Sequence, residues 1–264
     1  MYPNLFKIGP LTIHSYGLFL AIAFLLGMRI AVHYAKREKM EPAAITDLAV
    51  YIFLAALIGA KLLLILVDFG YYSQDWSRLL SIYQVGGVYY GGFILAFLVS
   101  LWYIRRRKMS FWQTADVLVM GSAFGQIFGR LGCFFAGCCW GRPAPGFPLA
   151  IEFTRPEAAQ QVGTPLHVPL HPAQLYEALP MILVFAVLAY VYNRRKFVGQ
   201  QVCLYLLLYS ILRFNVEFFR GDPRGTIGFF STSQVISILA FVGALVIYFI
   251  RKNVKTVPVA VSKS

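Results

Sequence analysis

TDLAVYIFLAALIGAKLLLILV, residues 46 to 67, carries two charges in twenty-two residues. A helix that crosses a bilayer core needs about 20 mostly apolar residues, and this run supplies them. Working outward, six more segments have the same character: 15 to 34, 88 to 104, 114 to 133, 174 to 193, 201 to 219 and 232 to 250. Composition agrees, since 59% of the chain is apolar and only 13% charged, and the mean hydropathy is +0.66. That balance excludes an ordinary soluble domain. The expected fold is all-α, a polytopic membrane protein of seven transmembrane helices forming a single domain over residues 1–264. Only the connection 134–173 is long enough to form a small extracytoplasmic region, and its Pro and Gly content favours loops and short strands over helices.

Orientation follows from the basic residues in the short connections. One set holds fourteen, among them Lys36, Arg37, Lys39, the run Arg105 to Lys108, Arg194 to Lys196, Arg251, Lys252, Lys255 and Lys263. The other holds seven: Lys7, Arg78, Arg130, Arg142, Arg155, Arg220 and Arg224. The expectation is an amino terminus outside and a carboxyl terminus in the cytoplasm. Basic loops against anionic headgroups account for most of the net charge of +13 without invoking nucleic acid. The first span is followed by the basic stop KREK instead of a cleavage site, so it is retained.

Ionisable residues inside spans cost a few kcal/mol each and usually face a polar interior. Arg29, Asp47 and Asp116 fall near cytoplasmic ends, where snorkelling explains them. Lys61 and the string LRFNVEFFRGDPRG, residues 212 to 225, are harder to dismiss. Arg213 and Glu217 are four apart and share a helix face, and Arg220 continues it one turn on. The ladder is either a structural ion pair that locks one helix to its neighbours or, since two arginines against one glutamate leave a positive charge uncompensated in low dielectric, a site that an anionic ligand would complete. Gly121, Gly125 and Gly129 make a smooth stripe for close helix approach. That stripe ends at Arg130, whose guanidinium matches phosphate oxygens bidentately.

Two further strings stand out. HPAQLYE, residues 171 to 177, puts Pro172 at a first helical position with Gln174 and Glu177 in the first turn, an arrangement that capping alone could explain. GGVYYGG, residues 86 to 92, sets four glycines around Tyr89 and Tyr90, allowing close backbone approach, with the phenols as interfacial anchors.

Together GRLG with WGR, HPAQLYE, LRFNVEFFR and the early SYG at 15 to 17 resemble the prolipoprotein diacylglyceryl transferases of bacterial inner membranes, over nearly the whole chain. The resemblance implies an enzyme that moves the diacylglyceryl group of phosphatidylglycerol onto the lipobox cysteine thiol of a preprolipoprotein, releasing glycerol phosphate. It implies that Arg130 contacts the phospholipid and that Arg213, Glu217 and Tyr16 are functionally important. With these, Tyr90 completes the candidate catalytic set. Arg220, Gly141, Gln174 and Glu177 join Arg130 as candidate substrate-binding residues. The chain departs from the family pattern at three polar positions. Tyr90 stands where many members have His, Cys133 where Asn is common and Cys138 where Glu is common. An acceptor other than a lipobox thiol is therefore one alternative, and a lipid or anion transporter is another, although no inverted repeat is visible.

No cofactor is expected. Cys133, Cys138 and Cys139 admit three readings: a metal site, a disulfide from Cys133 to Cys138 or Cys139, or small residues lining the cavity beside Arg130. The spacing C-x4-C-C argues against the metal, because adjacent cysteines seldom share one zinc, and no metal is expected.

Overall fold

The computed structural model describes residues 2–9, 11–73, 89–223 and 225–254. Arg78, Arg224, Lys255 and Lys263 of the charge count, and Gly86 and Gly87 of GGVYYGG, lie outside the described residues. The chain opens with an antiparallel hairpin, β1 (Asn4–Ile8) and β2 (Leu11–His14). Among the described residues, six helical segments are long and apolar enough to cross a membrane. They are α1 (Ser15–Arg37), α2 (Pro42–Val67), α5 (Phe111–Ala136), α7 (Ala173–Tyr192), α8 (Gln200–Val216) with its 3-10 extension Glu217–Phe219, and α9 (Thr232–Asn253). The short α3 (Phe69–Tyr72) follows α2. In place of the expected span at 88–104 stands α4 (Tyr89–Arg106), 18 residues ending in Arg105 and Arg106, which is not among the six. Outward faces are apolar, as Leu57, Leu62 and Leu66 on α2 and Leu239, Val246 and Phe249 on α9 illustrate. Such faces suit lipid, where the backbone must satisfy its own hydrogen bonds.

The described residues group into two compact units, Met1–Glu38 with Ala115–Ser264, and Lys39–Thr114. Within the second, α2 and α4 approach nearly backbone to backbone. A Cβ on Gly91 would collide with the Gly59 carbonyl, and one on Gly92 would lie 2.7 Å from Ala56 O. Gly91 and Gly92 of GGVYYGG thus serve close approach, as expected. Asp47 is half exposed, 3.6 Å from Arg107, as a snorkelling carboxylate should be.

Within the first unit, Gly27 of α1 meets Gly121 of α5, and a Cβ on Gly125 would lie 2.9 Å from Ala23 O. Gly129 faces open space, and the tight line continues instead at Gly132 against Phe19. The stripe expected to end at Gly129 therefore shifts by three residues, because 3.6 residues per turn rotates an every-fourth-residue row off the contact.

Asp116 does not snorkel. It is fully buried and accepts hydrogen bonds from Gly199 N (2.7 Å) and Val202 N (3.1 Å) at the start of α8. Its carboxylate thus satisfies orphan amides at a helix amino terminus. At the far end of α1, Glu38 accepts hydrogen bonds from Tyr192 (2.8 Å) and Arg195 (2.5 Å). Burial opposes the Arg195 charge, but the Glu38 contact outweighs it and holds the guanidinium pKa above its ordinary value.

The connection between α5 and α7 begins at Gly137, whose φ of +87° ends the helix. Bridges pair Leu170 with Pro143 and Ile151, and Phe153 with Leu166. The composition argument missed the seven-residue α6 (Pro156–Val162), which starts on a proline and stops at Gly163 with φ +70°. The amino-terminal hairpin was also unexpected. It lies against this connection through Gln161 and Asn4 (3.2 Å) and through Arg155 over the Tyr2 ring. A minimal hairpin, β3 (Thr226–Ile227) and β4 (Phe230–Ser231), leads into α9, where Ser231 and Gln234 form a capping box.

Candidate active site

Three helices of the first unit deliver charge to one buried point. Arg130 comes from the last turns of α5, Glu177 from the second turn of α7 and Arg213 from the last turn of α8. Arg130 Nη2 lies 2.6 Å from Glu177 Oε1, and the Glu177 side chain is wholly inaccessible. Arg213 Nη1 lies 4.0 Å from the second Glu177 oxygen, and Arg213 Nη2 pairs with Glu217 at 2.7 Å. The shared face inferred from the four-residue spacing is thus real. Glu177 further accepts a hydrogen bond from Tyr209 (3.1 Å), while Arg213 donates to Ser233 of α9 (3.0 Å). A carboxylate held this way is not a helix cap, so capping does not account for Glu177. Pro172 is the N-cap and α7 starts at Ala173, one residue later than expected.

Arg220 corrects the ladder. The helix tightens into a 3-10 turn at Glu217–Phe219 and Arg220 is already extended, with φ −76° and ψ 138°, so it leaves the Arg213 face. Its guanidinium instead forks onto Asp222, with both contacts at 2.8 Å. Burial opposes its charge, yet the Asp222 carboxylate prevails and its pKa is raised. The expected surplus charge is therefore absent from this cluster. Arg130 and Arg213 face Glu177 and Glu217, and Arg220 faces Asp222. What is available to a ligand is donors: Arg213 Nη1 and, beside Asp222, Arg220 Nη1 are buried and make no hydrogen bond among the described residues.

A second layer fixes this geometry. Gly141 bridges Arg220 in antiparallel fashion, Arg142 Nε donates to Arg220 O (3.1 Å) and Gly221 N donates to Trp140 O (3.0 Å). Gly141 is obligatory, since a Cβ there would collide with the His171 carbonyl. Gln174 Nε2 donates to Cys138 O at 2.7 Å and so ties α7 to the turn after α5. Tyr16 lies against Gly132 of α5, within electrostatic reach of Arg130 and the three clustered thiols. The first unit therefore assembles Tyr16, Arg130, Gly141, Gln174, Glu177, Arg213, Glu217 and Arg220. Tyr90 belongs to the second unit, at the first turn of α4. Sequence reasoning missed Tyr209, Ser233 and Asp222. Asp222 alone left a signal, as a carboxylate two residues beyond an arginine in a Gly-Asp-Pro turn.

The family model described as prolipoprotein diacylglyceryl transferase matches residues 3–250. The chain belongs to that family. The match runs through both units. Among curated relatives, a phosphatidylglycerol–prolipoprotein diacylglyceryl transferase of Clostridium tetani is 32% identical over 96% of this chain and 98% of its own. A second, from Clostridium perfringens, is 31% identical over 93% and 94%. One from Trichormus variabilis is 32% identical over 89% and 84%. Family membership accords with the multiple apolar helices of a multi-pass membrane protein.

Proposed function

We propose that this family member transfers the diacylglyceryl group of phosphatidylglycerol to the lipobox cysteine of a preprolipoprotein in the bacterial inner membrane. Its amino terminus is periplasmic and its carboxyl terminus cytoplasmic. Residues 1–264 act as one membrane domain with 134–173 as an extracytoplasmic insertion, and α4 serves as the seventh span.

In this reaction a thiolate attacks the sp³ carbon bonded to a phosphate oxygen. A carbon–sulfur bond forms, the carbon–oxygen bond breaks, and glycerol phosphate departs with the electron pair. The site must therefore hold a phosphodiester, stabilise the leaving monoester and favour the thiolate, whose pKa of about 8.5 falls beside arginine. The observation that carries this reading is Arg213. It is anchored by Glu217 and Ser233 and retains a buried Nη1 that hydrogen-bonds nothing among the described residues. A phosphate oxygen can take that donor while the Arg130–Glu177 and Arg213–Glu217 pairs stay intact, competing only with the 4.0 Å contact between Arg213 Nη1 and Glu177. Arg130 and Arg220, with Gly141, Gln174 and Glu177 as their supports, hold the headgroup. Tyr16 and Tyr90 complete the catalytic set, with Tyr90 orienting the headgroup. The partners are phosphatidylglycerol, the lipobox signal peptide and membrane lipid.

A second reading keeps the chemistry and changes the acceptor. It is favoured by Tyr90, Cys133 and Cys138, which occupy positions usually given to other polar residues. Incubating membranes with labelled phosphatidylglycerol and a lipobox peptide decides between them. A lipidated peptide supports the first, and glycerol phosphate released without one supports the second.

A further inference from the structure

Cys133 is buried in the last turn of α5, and Cys138 and Cys139 follow the turn at Gly137. Their three Sγ atoms lie within 4.8 Å of one another, and all three are free thiols. Adjacent residues in extended backbone point to opposite sides, which is why the spacing alone argued against a common ion. Cys139 breaks that rule. Its φ is +62°, a left-handed conformation that non-glycine residues adopt at a cost and that clusters at functional sites. The consequence is that neighbouring thiols converge on one point instead of diverging.

We propose that Cys133, Cys138 and Cys139 bind one d10 divalent cation of the zinc group as three thiolates, a site distinct from the phospholipid-binding arginines but bordering them. Three sulfurs at about 2.3 Å from one ion lie roughly 4 Å apart. The observed cluster therefore needs a contraction under about 1 Å, within reach of small side-chain rotations. The exchange balances: three thiols release three protons, and one divalent ion forms three metal–sulfur bonds. The product carries one net negative charge, and Arg220 and Arg130 are placed to offset it, since both act electrostatically on Cys139. Gln174 holds the Cys138 carbonyl, which fixes the turn in advance of binding.

The test uses the full-length protein in detergent, reduced and stripped of metal, titrated with cadmium and then zinc. The expected result is an ultraviolet thiolate-to-cadmium absorption that saturates at one equivalent, with release of three protons and protection of all three thiols from alkylation. Zinc should compete with that signal only in large excess, because thiolates hold the softer cadmium more tightly. Cys139→Ser should weaken binding at least 10-fold, whereas Cys203→Ser, buried in α8, should leave it unchanged. A titration with no saturable absorption overturns the proposal, as does a mass lowered by two hydrogens with a bridged peptide through Cys133. The wild-type titration decides the matter even where a cysteine variant fails to fold. Because it reads metal directly, its outcome is independent of the transferase reading.

Discussion

Arg130 and Glu177, carried by different helices, meet at 2.6 Å with the glutamate side chain wholly buried. That pair joins α5 to α7, and through Arg213 it reaches α8. Removing one partner from a buried pair costs about 3–5 kcal/mol, while replacing both by apolar residues is often near neutral. Glu177→Ala and Arg130→Met should each lower the melting temperature in detergent, and the double variant should melt closer to the parent than either single. Additive losses would mean that the two side chains are not energetically coupled.

In the proposed reaction Arg213 is the donor on which phosphate binding turns. Arg213→Ala should reduce transfer by at least about 100-fold, in keeping with the loss of one charged donor to an oxyanion, while insertion into membranes persists because no span is lost. Arg213→Lys keeps the charge but not the planar fork, so it should recover only a part. Membrane preparations of the three proteins, matched for amount, give the comparison, and an active alanine variant would remove Arg213 from the mechanism.

Tyr90 is 42% exposed on the first turn of α4, where its phenol can hydrogen-bond a lipid headgroup. Tyr90→Phe should therefore retain measurable transfer. If it binds phosphatidylglycerol normally yet fails to turn over, the hydroxyl itself takes part in the proton transfer.

The two glycines beside the arginines should behave oppositely. Gly141→Ala drives a methyl into the His171 carbonyl and displaces the bridge that holds Arg220, so binding of labelled phosphatidylglycerol should weaken. Gly129→Ala, adjacent to Arg130, meets nothing within 4 Å and adds helix propensity of up to about 1 kcal/mol. It should keep full activity with equal or higher stability. Equal effects at the two positions would contradict the packing described.

The spans were legible because lipid imposes a length and a composition that single segments must meet, and Pro42–Val67 and Thr232–Asn253 fall within a few residues of the runs read from sequence. Arg213 with Glu217 was legible for the same local reason, a four-residue spacing on one helix. Arg130 with Glu177 was not, since nothing in either helix alone says which face meets which. Arg220 was misplaced because a 3-10 turn, invisible to apolar periodicity, carries it off the helix and onto Asp222. The three cysteines show the same limit. Their spacing argued against a shared metal ion, and the left-handed Cys139 brings all three thiols to one point.

The central claim is that the Arg130, Glu177, Arg213 and Glu217 cluster serves diacylglyceryl transfer. It is tested most directly by incubating the purified protein with phosphatidylglycerol labelled in its headgroup phosphate and a lipobox peptide. The account predicts thioether-linked diacylglyceryl peptide and glycerol phosphate in equal amounts, both lost in Arg213→Ala. Intact phosphatidylglycerol alongside unmodified peptide, at concentrations where the lipid is bound, would contradict it.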